Sequence, residues 1–503
     1  MARVTTIWAQ GSLRCGIWPL LLIVLLGTAL RLAGLGAQSL WYDEAFSLAS
    51  ADRLSLGQLL ANQGADIHPP LYYLLLRVWI RVVGISDFTA RLPSLWAGVL
   101  TIPLIYVTGR RLFDHPTGLW AALFWAVFPF HLYFAQEARM YTLLALLTAL
   151  SLWLFLQAVE RDRPWLWAAY WLCLALGIYT HYFFALVIVV YHMYLLLNWR
   201  EYRRLWLPVI ITDILLVPVF LAQAAITLQK LTTVLAPSYW LGRPHPLAFF
   251  TTLYFFVVSY TLPVWLNPVG LFIFLGVLAI GLYEGFRRGG RERYRLSRIL
   301  LVSGALLPIV IILVISQFKP IFLERTLIGC TPFLTLLLAD RARSSHWRSP
   351  VAYLSIALGG LVVISLYRYY FDPATHKPPL REAARQIAEE FKPGDMVLHT
   401  SVGSFLPFLF YEPPSAHFLL WGDPDPHLPA SAYESFGGRI ASRGMITDYQ
   451  RLWLVVMLDH SLEYQQEQVA WFDNHLSLID ETNVGGIFIR LYEGVREGTV
   501  VEE

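Results

Sequence analysis

The sequence predicts a polytopic α-helical membrane protein with a small C-terminal α/β domain. Three observations lead there. The 503 residues are 57% hydrophobic and only 15% charged, against roughly 45–50% and 25% in soluble domains. The apolar residues are gathered into runs of about 20, the length of a membrane-crossing helix. The short loops between them alternate between Lys/Arg-rich and Lys/Arg-poor, as the positive-inside rule requires.

The first run, Ile17 to Leu35, follows Arg3 and Arg14. A cleavable signal peptide is the alternative, with Leu35-Gly36-Ala37 as a small-residue cleavage site. The full-span length and the many spans that follow favour a retained helix. Ten further runs are long enough to span: 92–109, 118–134, 140–157, 165–179, 182–197, 205–224, 268–286, 299–316, 321–339 and 351–367. The runs 71–83 and 247–266 fit either a span or a surface helix. Charge parity decides. The basic loops at Arg110-Arg111, Arg161 to Arg163, Arg200 to Arg204, Arg287 to Arg298 and Arg341 to Arg348 all fall on one side only if both runs stay out of the bilayer. About 13 residues with Arg77 and Arg81 suit an interfacial helix at 71–83. The expected topology is eleven spans, N-terminus in and C-terminus out. Residues 1–370 form the membrane domain and residues 371–503 an extracytoplasmic one.

The tail is charged and Pro-punctuated. Residues 380–391 read as an amphipathic helix, 395–400 and 452–458 as buried strands, 462–475 as a helix and 486–492 as a strand. It has no GxGxxG or P-loop, so no nucleotide is assigned to it. Cys15, Cys173 and Cys330 are far apart and show no metal-ligand or disulfide spacing.

Five polar clusters fall on the non-cytoplasmic side. Asp43 and Glu44 follow the first span; a capped, solvated turn explains them, as does a general base with a supporting neighbour. His68 precedes Pro69-Pro70, which suit the start of a helix. Glu137, Arg139 and Tyr141 stand at the lip of a span, as a local ion pair or as part of a site. His181 lies in a short turn. Lys319 and Arg325 are cations that suit a phosphate or snorkel to headgroups. Convergence on one face favours a shared site.

In order, Leu40-Trp41-Tyr42-Asp43-Glu44, His68-Pro69-Pro70-Leu71-Tyr72, Ala90-Arg91-Leu92-Pro93-Ser94 and Ala135-Gln136-Glu137-Ala138-Arg139-Met140-Tyr141 resemble membrane glycosyltransferases of the GT-C fold. Within that fold they resemble the bacterial protein-mannosyltransferase-like and aminoarabinose-transferase-like enzymes. The resemblance is strongest over residues 17–200. It implies transfer of a sugar from a polyprenyl-phosphate donor to a protein, lipid or glycan acceptor, at the outer face of a bacterial plasma membrane. Asp43 would be the catalytic base and Glu44 its support. His68, Glu137, Arg139, Tyr141, His181, Lys319 and Arg325 would bind substrate. A lipid-linked-saccharide flippase is the rival reading, with charges expected near the midplane. The carboxylate pair is compatible with a divalent metal, but no ligand set is evident. Nucleic acid is not an expected partner.

Overall fold

The computed structural model describes residues 13–60, 68–235, 241–287, 292–344, 350–411, 417–420, 434–446, 449–457 and 462–495. Arg3, part of the basic loops at 287–298 and 341–348, and the side chains of Arg14 and Cys15 lie outside the described residues.

Most apolar runs become helices near the expected bounds: Leu92–Leu112, Tyr141–Arg161, Pro164–Ile178, Phe184–Leu197, Asn267–Arg287, Glu292–Phe318 and Pro350–Phe371. Among the described residues, six helices are long and apolar enough to cross a membrane, or seven when one bent pair is taken as a span. Four more apolar helices are shorter. The run 321–339 is no single helix: Glu324–Cys330 is 3-10 and only Thr331–Ser344 is α. Pro320, lacking an N–H, precedes residues without regular structure that end on an extended Leu323.

The run 118–134 is broken. Helix His115–Val127 and helix Pro129–Ala135 meet at 55°. Pro129 holds the first-turn position of the second helix and Phe128 is extended before it, as a residue preceding proline prefers. Pro129 cannot donate to the Trp125 carbonyl four residues back. A fully buried arginine from the first helix, Leu13–Leu32, fills the gap. Arg31 donates to the Trp125 carbonyl at 3.0 Å and to the Ala126 carbonyl at 3.1 Å. An arginine on one helix thus caps the end of another.

The stretch between the Leu13–Leu32 and Leu92–Leu112 helices contains two helices that matter for the site. Tyr42–Asp52 begins at an extended Trp41 and is almost wholly buried. Leu71–Val83 buries Tyr72, Tyr73, Leu76 and Ile80, the spacing of one helical face. Its other face exposes Leu75, Val78 and Val82.

The described tail residues contain the strands β1 (Met396–His399), β2 (His417–Leu420), β3 (Arg439–Ala441), β4 (Arg451–Met457), β5 (Leu476–Val484) and β6 (Ile487–Val495). They form one six-stranded sheet in the order β3-β2-β1-β4-β6-β5. The first four are parallel, and β6 and β5 add as an antiparallel edge. Alternation sorts the faces. Met396, Leu398, Leu452 and Leu454 pack with Phe472 of the Leu462–His475 helix. Val397, Trp453 and Val455 pack under the Leu380–Glu390 helix.

A short helix after β1, Val402–Phe408, carries this unit onto the membrane part. Val402, Phe405 and Leu406 share one core with Phe46 and Leu48 of the loop helix. The Phe46 and Phe436 rings meet edge-on at 5.3 Å. Polar contacts reinforce the join. Tyr411 Oη accepts from the Leu40 N–H and donates to Asp87 at 2.7 Å, and Arg381 pairs with Asp87.

Candidate active site

The two adjacent carboxylates sit in the first turn of the Tyr42–Asp52 helix, where negative charge is favourable. Neither residue is the cap: that position is Trp41, and it makes no side-chain cap bond. Their surroundings differ sharply.

Glu44 is fully buried and its oxygens are committed. Arg91 reaches it with two arms, Nε to Oε1 at 2.7 Å and Nη2 to Oε2 at 2.8 Å. The Ala138 N–H donates to Oε1 at 2.9 Å and Lys377 Nζ to Oε2 at 2.9 Å. Burial raises the Glu44 carboxyl, but the Arg91 and Lys377 charges and these hydrogen bonds outweigh it and hold it at about 2. Arg91 also donates to the carbonyls of Leu35, Gln38 and Ser39. It therefore ties the chain leaving the Leu13–Leu32 helix to the carboxylate pair.

Asp43 keeps a side chain 12% exposed, and its Oδ2 lies 3.1 Å from Arg325 Nη1. Arg325, from the 3-10 segment Glu324–Cys330, lies over the rings of Trp41 and Tyr141, at 5.9 and 5.8 Å. Arg139 holds the helix from below: Nη1 donates to Ser47 Oγ at 3.2 Å and Tyr73 Oη at 3.4 Å. The Arg139 carbonyl accepts from Ser94 Oγ, which also bonds Tyr72 Oη at 2.9 Å.

Glu137 is the third carboxylate. It follows Gln136, which is fixed by bonds to the Arg31 and Ala33 carbonyls and from Tyr369 Oη. Glu137 is fully buried, and no described group hydrogen-bonds either of its oxygens. Lys377 Nζ is 3.9 Å from Oε1. Burial pushes this carboxyl up to about 7; Lys377 pulls it down and the Glu44 charge pushes the same way as burial.

The structure thus brings Asp43, Glu44, Glu137, Arg139, Tyr141 and Arg325 together. His68 and His181 meet each other, their ring centroids 5.2 Å apart, and the Leu71 N–H bonds the Tyr179 carbonyl beside them. Lys319 is half-buried just past the Glu292–Phe318 helix and is not among the groups these contacts join. Arg91 and Lys377 are the two site residues that sequence reasoning misses. Arg91 stands inside one of the ordered motifs; Lys377 is 333 positions from the Glu44 it binds, and no local pattern announces it. Among the described residues, no group of three or more His, Cys, Asp or Glu is arranged to hold a metal.

Residues 67–226 match the family model described as dolichyl-phosphate-mannose-protein mannosyltransferase. No curated protein matches the chain by sequence. Among solved structures, ArnT from Cupriavidus metallidurans in the apo state superposes with a TM-score of 0.64 at 14% identity, covering 95% of this chain and 98% of that one. The same protein bound to undecaprenyl phosphate gives 0.62, also at 14% identity, over 94% and 97%. The apo oligosaccharyltransferase of Archaeoglobus fulgidus gives 0.51 at 10% identity, over 96% and 74%. The chain therefore has the GT-C membrane fold of ArnT, and its residues 67–226 carry the sequence pattern of the protein mannosyltransferase family.

Proposed function

We propose that this protein transfers a sugar from a polyprenyl-phosphate-linked donor to an acceptor hydroxyl or amine at the outer face of a bacterial plasma membrane. The observation that carries this reading is the asymmetry of the carboxylate pair. Glu44 is saturated by Arg91, Ala138 and Lys377, whereas the Asp43 side chain stays 12% exposed, its Oδ2 facing Arg325. A base must reach the proton it removes, and only Asp43 of the two has such access. ArnT, whose fold this chain shares, has been solved with undecaprenyl phosphate bound, which supports a donor of that class.

The chemistry is a single displacement. The acceptor oxygen or nitrogen attacks the anomeric carbon as its proton passes to the Asp43 carboxylate. The bond from that carbon to the phosphate oxygen breaks, and the electron pair leaves with the polyprenyl phosphate. Arg325 steadies that charge, with Lys319 assigned the same role. Attack opposite the leaving group inverts the sugar. Glu44 and Arg91 hold the loop, and Arg139, Tyr141, His68 and His181 line the substrate side. The membrane arrangement that fits is eleven spans over residues 1–370, with residues 371–503 outside. The apolar exposed face of Leu71–Val83 suits a helix lying in the interface.

The test is transfer of a labelled sugar from a panel of polyprenyl-phosphate donors to added acceptors by the purified full chain in vesicles. Label in an acceptor supports the reading. Movement of the intact donor between leaflets without transfer would establish a flippase instead.

A further inference from the structure

The segment leading into the sheet unit enters the carboxylate cluster. Between the end of the last membrane helix at Phe371 and the Leu380–Glu390 helix, Lys377 turns inward and is buried. Its backbone N–H donates to Gln38 Oε1 at 3.1 Å, which anchors the segment to the first outer loop. The ammonium bonds Glu44 Oε2 at 2.9 Å, reaches the Gln136 carbonyl at 3.4 Å and lies 3.9 Å from Glu137 Oε1. A buried lysine gives up rotamer freedom and hydration; here acceptors from two distant parts of the chain compensate it.

We propose that Lys377 is a positioning residue of the active site, supplied by the C-terminal unit, which pins Glu44 and provides the positive charge that lets the buried Glu137 carboxylate ionise. This rests on the transferase reading for its consequence in turnover, but not for the coupling itself.

The charges around Glu137 argue for it. Asp43 and Glu44 face it from the loop helix and disfavour its ionisation, while Arg325 faces it from the 3-10 segment and favours it. The phenols of Tyr72, Tyr133, Tyr141, Tyr260 and Tyr369 also neighbour it; phenols are uncharged at neutral pH and add no charge there. Arg325 is paired with Asp43 at 3.1 Å, and Arg91 with Glu44 at 2.7 Å. Lys377 bonds Glu44 too, at 2.9 Å, but it lies within 3.9 Å of Glu137 and is the largest favourable influence on it. A charge at this distance moves a carboxyl by about 1–3 pH units. The C-terminal unit thereby contributes to the site: removing its lead-in segment would remove a charge from it.

The test is an infrared titration of the purified full chain. The carbonyl band of a protonated acid that disappears in Glu137→Gln belongs to Glu137. In Lys377→Met its midpoint should rise by about one pH unit or more, and Lys377→Arg should stay close to the wild type. Lys377→Gln, which keeps a hydrogen bond to Glu44 but no charge, should shift like Lys377→Met and serves if that variant does not fold. An unchanged midpoint in the neutral variants overturns the proposal. Turnover is the second readout: at neutral pH Lys377→Met should be slower and recover toward higher pH, and Lys377→Arg should not need that recovery. If the wild type transfers no sugar, the function is wrong, yet the titration still decides the coupling.

Discussion

Glu44 and Arg91 form a two-armed ion pair with both side chains buried, Nε to Oε1 at 2.7 Å and Nη2 to Oε2 at 2.8 Å. Arg91 also donates to three carbonyls of the stretch that follows the Leu13–Leu32 helix. One guanidinium thus fixes both the loop and the helix that presents Asp43. In a planar fork of this kind a lysine is a poor substitute.

Arg91→Met leaves Glu44 buried with only Lys377 for charge. Breaking a buried pair from one side costs about 3–5 kcal/mol. The thermal unfolding midpoint in detergent should fall markedly, and Arg91→Lys should fall less. An unchanged midpoint in Arg91→Met would show that the pair does not hold the loop.

Arg31→Leu should destabilise without altering the site's chemistry. The Trp125 and Ala126 carbonyls lose their donors at the broken span, at about 1–3 kcal/mol for each group left unsatisfied. Thermal unfolding checks this, and Arg31→Lys should recover part of the loss. A stable Arg31→Leu protein would mean that water or lipid satisfies these carbonyls.

Glu137 gives a pH dependence with a definite sign. Its folded carboxyl is raised from an ordinary 4.5 to about 7, so its contribution to stability is present below about 4.5 and is lost as pH rises through about 7. Glu137→Gln has no charge to bury. The variant should therefore gain stability relative to the wild type on going from pH 5 to pH 8, by roughly 3 kcal/mol at most. Thermal midpoints of both proteins across that range measure it, and parallel curves would contradict it.

Much of this is readable in the residues. Apolar runs locate most helices to within a few positions, and the tail helix Leu462–His475 has the ends its sequence suggests. The buried strands β1 and β4 show as apolar stretches. The edge strand β5 does not, because its residues are mostly polar and exposed, and β2 and β3 are only four and three residues long. The bend at Pro129 is hidden inside a continuous apolar run. The run 321–339 folds as a 3-10 segment followed by a helix, a break that apolar composition does not announce. At the site, the ordered motifs lead to Asp43, Glu44, Glu137, Arg139 and Tyr141, and the cations beyond the Glu292–Phe318 helix lead to Arg325. Arg91 and Lys377 are missed as partners because pairing across 47 and 333 positions is decided by folding, not by local pattern.

In the proposed mechanism the adjacent carboxylates divide their roles, Asp43 taking the proton and Glu44 holding the scaffold. Turnover and thermal midpoint measured together on Asp43→Asn and Glu44→Gln test it most directly. Asp43→Asn should lose about 10²–10⁴-fold in sugar transfer while unfolding at the wild-type temperature, and Glu44→Gln should unfold at a clearly lower one. Wild-type transfer by Asp43→Asn would contradict the account.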